Sequence, residues 1–372
     1  MLIGVPREIK NHEYRVGLIP AIVRQLVRHG HQVMVEKDAG TAIGLTDALY
    51  AAAGASIVAD AETLFAKAEM VVKVKEPQPH ECRMLRPGQV LFTYLHLAPD
   101  PEQTRLLLDS GCTAIAYETV TDAKGGLPLL APMSEVAGRM SIQAGAYCLE
   151  ISHGGCGILL GGVPGTEGAR VTVLGAGVVG TNAARMAMGL EAHVTVIDKS
   201  LDRLRALDLQ FGNRLTTLHA NLDTIEQAVI HSDLVIGAVL VPGAEAPRLV
   251  TRDMVKRMRP GSVLVDVSID QGGCFETSHP TTHAKPTYVE EGVIHYCFTN
   301  MPGAVARTST FALNAATAPF VLDLADKGWR RALTDDPHLR DGLNVSQGRL
   351  THPALAQPDD PVFLPAVQAI AA

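Results

Sequence analysis

The stretch Val171-Thr172-Val173-Leu174-Gly175-Ala176-Gly177-Val178-Val179-Gly180 constrains this chain more than any other. A β-branched apolar run gives way to three glycines in G-x-G-x-x-G spacing, then to an apolar, Ala-rich segment. That order reads as a strand, a tight turn and a helix. Gly175 permits the turn. Gly177 leaves the helix start open to a diphosphate, and Gly180 lets helix and strand close on each other. The next strand, His193-Val194-Thr195-Val196-Ile197, ends at Asp198, close to the roughly 20-residue spacing at which a carboxylate meets ribose hydroxyls. A carboxylate there also repels a 2′-phosphate, so the expected dinucleotide is NAD rather than NADP. Lys199 and Arg203 add some positive charge nearby.

Short apolar runs alternate with helix-like stretches along the chain, the rhythm of parallel sheets with helices on both faces. Strands are expected near 2–5, 32–36, 70–74, 89–94, 113–117, 171–174, 193–197, 234–238 and 262–267. Helices are expected at 20–30, 47–54, 100–110, 134–151, 178–190, 200–212, 223–230, 251–258 and 306–327. One pattern occurs twice. Glu69-Met70-Val71-Val72 leads to Arg86-Pro87-Gly88-Gln89-Val90, and Asp233-Leu234-Val235-Ile236 leads to Arg259-Pro260-Gly261-Ser262-Val263. The first copy runs on to His96, the second to Asp270. Each thus carries a titratable residue just past a strand's carboxyl end, the edge where open α/β sheets bind ligands.

The fold class expected is α/β, two Rossmann-like doubly wound domains with an active-site cleft between them. The domains are 1–131 plus 309–372, discontinuous and substrate-binding, and 132–308, dinucleotide-binding. The tail beyond Gly328 is Pro-rich, shows no strand pattern and is expected to pack back on the first domain.

Composition narrows the function. Of 372 residues, 47% are hydrophobic and 19% charged, which excludes wholesale disorder. Aromatics are 4% and the net charge is −7, which argues against a nucleic-acid partner. The six cysteines form no C-x-x-C pair and read as reduced, mostly buried thiols. No signal peptide and no run long enough for a membrane span is visible, so a cytoplasmic protein is expected. Asn344-Val345-Ser346 matches a glycosylation acceptor by chance. His279 and His283 are spaced four apart without a third ligand nearby, so no metal is expected.

Hydride chemistry needs a substrate clamp and a proton-transfer group. Arg15, in a loop after the first strand, suits a carboxylate. Lys75 stands at the end of a buried strand; alternation puts Lys73 on the same face, farther from the carboxyl end. His96 follows an apolar strand, and its intrinsic pKa of about 6.5 suits proton exchange near neutrality. Asp270 lies beside Gly272 and Gly273, which are expected to leave the backbone open. Asp266 is an alternative carboxylate, but sits within the strand.

With these residues in view, the chain resembles the alanine dehydrogenase family. The resemblance runs from Gly4-Val5-Pro6-Arg7-Glu8-Ile9-Lys10-Asn11-His12-Glu13-Tyr14-Arg15 through Lys75-Glu76-Pro77, Tyr94-Leu95-His96-Leu97-Ala98 and Pro132-Met133-Ser134-Glu135. It continues through the glycine loop and Asp266-Val267-Ser268-Ile269-Asp270 to Asn300-Met301-Pro302-Gly303. It implies reversible oxidative deamination of L-alanine by NAD to pyruvate and ammonia. It also implies that Arg15 and Lys75 hold the substrate and that His96 and Asp270 move protons. Ser134, Gly175, Gly177, Val178, Val179, Gly180, Asp198, Arg203, Val239, Leu240, Val267, Asp270, Asn300 and Met301 would contact NAD. Family members are typically homohexamers. Ala220 stands where the family often has Ser, and His279 where it often has Arg; both bear on cofactor affinity.

Three other readings compete. The NAD-binding subunit of a proton-translocating transhydrogenase shares the fold, but its relatives carry an Arg-Ala-Gln-type loop where this chain has Ala131-Pro132-Met133-Ser134. A catalytically silent nucleotide-binding protein would not need Arg15, Lys75, His96 and Asp270 together. A saccharopine-dehydrogenase-like enzyme is more distant.

Overall fold

The structure, a computed structural model, describes residues 1–239, 246–282, 284–355 and 362–371. Two compact units make up the chain: Met1–Met133 with Val305–Ala372, and Ser134–Ala304.

The first unit holds a sheet whose eight described strands run in the order Arg349–Leu350, Leu343–Ser346, Thr113–Ala116, Val90–Thr93, Met70–Val72, Leu2–Val5, Gln32–Glu36 and Ser56–Val58. The six strands from Thr113–Ala116 to Ser56–Val58 are parallel. The strands read as unbroken apolar runs because both faces are covered. Met70, Val72, Val90, Phe92 and Ile115 enter one core, while Val71, Leu91, Ala114 and Ala116 enter the other. The second unit repeats the scheme with seven described strands: Thr287–Glu290, Val293–Tyr296, Val263–Asp266, Leu234–Gly237, Arg170–Leu174, His193–Asp198 and Thr216–His219. Its edge strand Thr287–Glu290 turns back antiparallel through Glu291 and Gly292, both at positive φ, as a two-residue hairpin requires.

The sequence repeat is a structural repeat. Gly88 and Gly261 both sit left-handed, at φ of 79° and 80°. The turn closes through the Gln89 amide on the Arg86 carbonyl at 3.1 Å, and the Ser262 amide on Arg259 at 3.0 Å. Ahead of each turn the acidic residue caps the unit's first strand. Glu69 Oε2 accepts the Leu2 amide at 2.5 Å, and Asp233 Oδ2 accepts the Arg170 amide at 2.9 Å. The registers match too, with Met70 opposite Val90 and Leu234 opposite Val263. In both units the first strand lies mid-sheet, so a topological switch point opens beside it at the strands' carboxyl ends.

Three expectations need correction. The tail does form strands: Leu343–Ser346 pairs antiparallel with Thr113–Ala116, and Arg349–Leu350 pairs with Leu343–Ser346. Its pattern is hidden because Asn344 and Ser346 are polar yet buried; Asn344 Nδ2 donates to Thr119 Oγ1 at 2.8 Å. The strand read as 70–74 stops at Val72 and is followed by a bend at Val74 and Lys75, so alternation does not relate Lys73 to Lys75. The helix read as 134–151 is Ala131–Cys148. The long returning helix is Ala306–Lys327, as expected. The six cysteines are free, five of them buried. Among the described residues no helix is long and apolar enough to cross a membrane.

Candidate active site

In the first unit, three cationic or titratable side chains follow the carboxyl ends of neighbouring strands. Arg15 lies in the loop after Leu2–Val5 and is 2% exposed. Its Nε and Nη2 bind both oxygens of Glu13 at 2.7 and 2.6 Å, and its Nη1 touches Met133 Sδ at 3.2 Å. Burial opposes the charge, but Glu13 holds the guanidinium's pKa above its ordinary value. The loop itself is anchored from the returning helix. Asn314 accepts the Ile19 amide at 2.8 Å and donates to the Val16 carbonyl at 3.3 Å, and Thr310 Oγ1 accepts the Val16 amide at 3.3 Å. A Cβ at Gly17 would meet the Val72 carbonyl, so glycine allows this loop to lie against the end of Met70–Val72.

Lys75 is half-buried, not a surface lysine. Burial pushes its pKa down; Glu76 opposes the shift, and Arg15 and Lys10 add to it. Lys73 points elsewhere. It is fully buried, with its ammonium 3.1 Å from Glu8 Oε2 and 2.7 Å from Glu81 Oε1. Burial works against that charge too, but the two carboxylates keep its pKa above the ordinary lysine value.

His96 is not a core histidine. Its side chain is 45% exposed, and its backbone is left-handed at φ 50°, a strained conformation that clusters at functional sites. Glu118 holds that backbone: Oε1 accepts the His96 amide at 2.6 Å, and both oxygens accept the Leu95 amide at 3.2 Å. The imidazole lies parallel to Tyr94 at 5.8 Å, with Nδ1 3.8 Å from Glu118 Oε1.

In the second unit the glycine loop links Arg170–Leu174 to the helix Val178–Gly189. Gly175 has φ 105°, and a Cβ there would strike the Ala238 carbonyl; a Cβ at Gly180 would strike the carbonyl of Gly175. Gly177 differs, because a Cβ there would meet nothing within 4 Å. Gly177 is also the helix N-cap, without a side-chain cap bond. An open helix start of this kind fits the diphosphate of a dinucleotide. Val178 is 41% exposed at that start, and Val179 is half-buried. Asp198 is half-buried at the end of His193–Asp198, its oxygens accepting the Ala176 amide at 2.6 Å and the Ser200 amide at 2.7 Å. Arg203 is exposed on the following helix, and Ala220 is half-buried after the next strand.

Asp270 is exposed on the 3₁₀ turn Val267–Gln271, after Val263–Asp266. Asp266 is no alternative. It is fully buried and accepts the Ser268 amide at 3.0 Å, the Cys274 amide at 2.9 Å and the Ser278 hydroxyl at 2.6 Å, so it shapes the loop that carries Asp270. The backbone at Gly273 is crowded rather than open: φ is 81°, and a Cβ would lie 2.8 Å from Asp266 Oδ2. Ser268 Oγ joins this loop to Val239, accepting its amide at 3.0 Å and donating to its carbonyl at 2.7 Å. Val267, Ser134 and Asn300 are half-buried, while Met301 is a core side chain, 2% exposed. Leu240 and His283 lie outside the described residues. His279 stacks on Tyr288 at 3.5 Å.

Four side chains that shape these sites escaped sequence reading: Glu13, Glu118, Asn314 and Thr310. Thr310 and Asn314 were legible only as a polar i, i+4 pair on the long helix.

Comparison with known proteins identifies the family. Residues 4–137 match the family model "Alanine dehydrogenase/PNT, N-terminal domain", and residues 141–353 match "Alanine dehydrogenase/PNT, C-terminal domain". An alanine dehydrogenase of Halomonas elongata is 62% identical over 357 residues, covering 96% of each chain. A solved L-alanine dehydrogenase superimposes with a TM-score of 0.93 at 54% identity, covering 96% of this chain and 98% of that one. A transhydrogenase from Sinorhizobium meliloti, at 24% identity and TM-score 0.81 over 95% of this chain and all of that one, shares the fold. The chain belongs to the alanine dehydrogenase/PNT family.

Proposed function

We propose that this protein is an L-alanine dehydrogenase, carrying out the reversible NAD-dependent oxidative deamination of L-alanine to pyruvate and ammonia. Full-length identity of 62% to an alanine dehydrogenase carries the reading. The first unit supports it with two cations at the carboxyl edge of one sheet, Arg15 buried against Glu13 and Lys75 half-buried.

Arg15 takes the substrate carboxylate through its planar guanidinium. Lys75 takes the carboxylate or the developing carbonyl oxygen and so orients Cα. When bound, the nicotinamide supplies the acceptor for the Cα hydride. Loss of that hydride leaves an iminium on the substrate. His96 and Asp270 assist water's addition to it and move protons as the carbinolamine releases ammonia and pyruvate. Holding the reactants in register supplies up to ~7–11 kcal/mol of the barrier.

Gly175, Gly177 and Gly180, with the amides of Val178 and Val179, would hold the diphosphate. Asp198 would hold the adenosine ribose and disfavour a 2′-phosphate, hence NAD. Ser134, Arg203, Val239, Leu240, Val267, Asn300 and Met301 complete the proposed contacts, with Met301 offering its backbone. A cytoplasmic homohexamer goes with this reading.

The test is NADH absorbance with purified protein, NAD and L-alanine at mildly alkaline pH, beside serine, glutamate, lysine with 2-oxoglutarate, and NADP. NADH formation with L-alanine and NAD is expected. NADH binding without turnover of any amino acid would refute the reading.

A further inference from the structure

Lys73 is one of the largest fully buried side chains in the protein, and the mechanism does not use it. It links two buried carboxylates from different elements. Glu8 lies in the loop after Leu2–Val5, and Glu81 lies in the short helix Pro79–Cys82. Both carboxylates also hold backbone amides of the turn between them. Glu8 Oε1 accepts from Val74 at 2.7 Å and from Lys75 at 3.3 Å, and Glu81 Oε2 accepts from Gln78 at 2.8 Å. On the other side of the turn, the carbonyls of Lys73 and Lys75 accept from Tyr117 Oη at 3.0 Å and Thr93 Oγ1 at 2.9 Å.

Three charges buried together are a poor route to stability, because well-packed apolar side chains of the same volume serve as well or better. What the cluster supplies is geometry. Beyond the strand's end at Val72 the backbone keeps two bonds to its neighbour, the Lys73 amide on the Phe92 carbonyl at 3.2 Å and the Tyr94 amide on the Val74 carbonyl at 3.3 Å, but the amides of Val74 and Lys75 turn to Glu8 instead. Glu8 fixes the direction in which Lys75 leaves the backbone by holding both amides on one oxygen, while Lys73 fixes Glu8 through the other.

We propose that the Glu8–Lys73–Glu81 cluster is a positioning device for Lys75, setting the direction of its ammonium without touching substrate. The proposal rests on the reading of Lys75 as a substrate-holding group. If so, Glu8 acts only through Lys75, and losing both costs no more than losing Lys75.

The experiment is a double-mutant cycle in the full chain, with Glu8→Ala, Lys75→Met and their combination. Kinetics with L-alanine are measured beside NADH binding by fluorescence. Glu8→Ala is expected to lower kcat/KM roughly 10–100-fold, as for a misplaced group. The double variant should fall within about threefold of Lys75→Met alone, the spread of ordinary additivity errors. NADH affinity should stay unchanged throughout, and Glu8→Gln, whose oxygen can accept both N–H groups only with its own NH2 turned to the Lys73 ammonium, should recover only part of the loss. Losses that multiply in the double variant, an unchanged Glu8→Ala, or a loss that tracks NADH affinity would each overturn the proposal. Should Glu8→Ala not fold, Glu81→Gln with and without Lys75→Met decides by the same comparison. Wild-type protein inactive on L-alanine would instead defeat the functional reading itself.

Discussion

Asp198→Ala separates cofactor recognition from alanine chemistry. The Asp198 carboxylate already accepts two backbone amides, from Ala176 at 2.6 Å and Ser200 at 2.7 Å. A carboxylate offers about four lone-pair sites, so room remains for ribose hydroxyl donors. Truncation removes the ribose bonds, each worth ~1.5–3 kcal/mol to a charged acceptor. It also leaves the amide of Ala176, a residue 2% exposed, without that acceptor in the turn that receives the diphosphate. A net loss of about 3 kcal/mol corresponds to roughly a hundredfold rise in the dissociation constant for NADH, at ~1.4 kcal/mol per decade. Asp198→Asn keeps one acceptor oxygen and lifts the repulsion of a 2′-phosphate, so NADH should weaken about tenfold, one decade of that scale, while NADPH gains. Fluorescence titration with both nucleotides measures this. The KM for L-alanine at saturating NAD should change less than about threefold, because the ribose assignment gives Asp198 no part in holding alanine. A shift in NADH affinity below about fivefold, well under one decade on that scale, or a KM for alanine that rises in proportion, would refute the ribose assignment.

Three further outcomes are expected. His96→Ala and Asp270→Asn should each cut turnover at least ~10²-fold, with NADH affinity intact in His96→Ala, as measured by steady-state kinetics and fluorescence; near-normal kcat in either removes that residue from proton transfer. Gly180→Ala places a methyl against the Gly175 carbonyl and should cost ~1–3 kcal/mol of stability and weaken NADH, read by calorimetry and titration. Because burial lowers the pKa of Lys75, its charge is lost on raising pH earlier than for an ordinary lysine. Pyruvate binding to the NADH-loaded enzyme should therefore weaken in that alkaline window, and Lys75→Arg should stay flat across it; a flat wild-type profile contradicts the assignment.

The parts of the fold that were legible are those where one residue type had one reason to be there. Leu2–Val5 and Gln32–Glu36 coincide with the apolar runs, and the glycine turn is forced by three positions that each lack space or need an open face. Short edge strands such as Ser56–Val58 and Thr216–His219 were not legible, because their residues are mostly half-buried or exposed and carry little apolar signal. In the candidate site, single charged residues stood out, but not what holds them. Glu118 meets His96 across neighbouring strands, and Glu8 meets Lys73 at a sequence separation no local pattern encodes. Lys73 and Lys75 look alike in sequence, and only the end of the strand at Val72 tells them apart.

The antiparallel strand Leu343–Ser346 has a consequence for synthesis. It closes the edge of Thr113–Ala116 but is translated roughly 230 residues later, about 10–50 s at the usual 5–20 residues per second. The second unit is one continuous segment, Ser134–Ala304, and leaves the ribosome complete within that interval. Until the tail emerges, the first sheet presents an unpaired strand edge to every neighbouring nascent chain, the geometry most open to aggregation. The unit begun first is therefore finished last, by a strand that alternates apolar Leu343 and Val345 with polar Asn344 and Ser346.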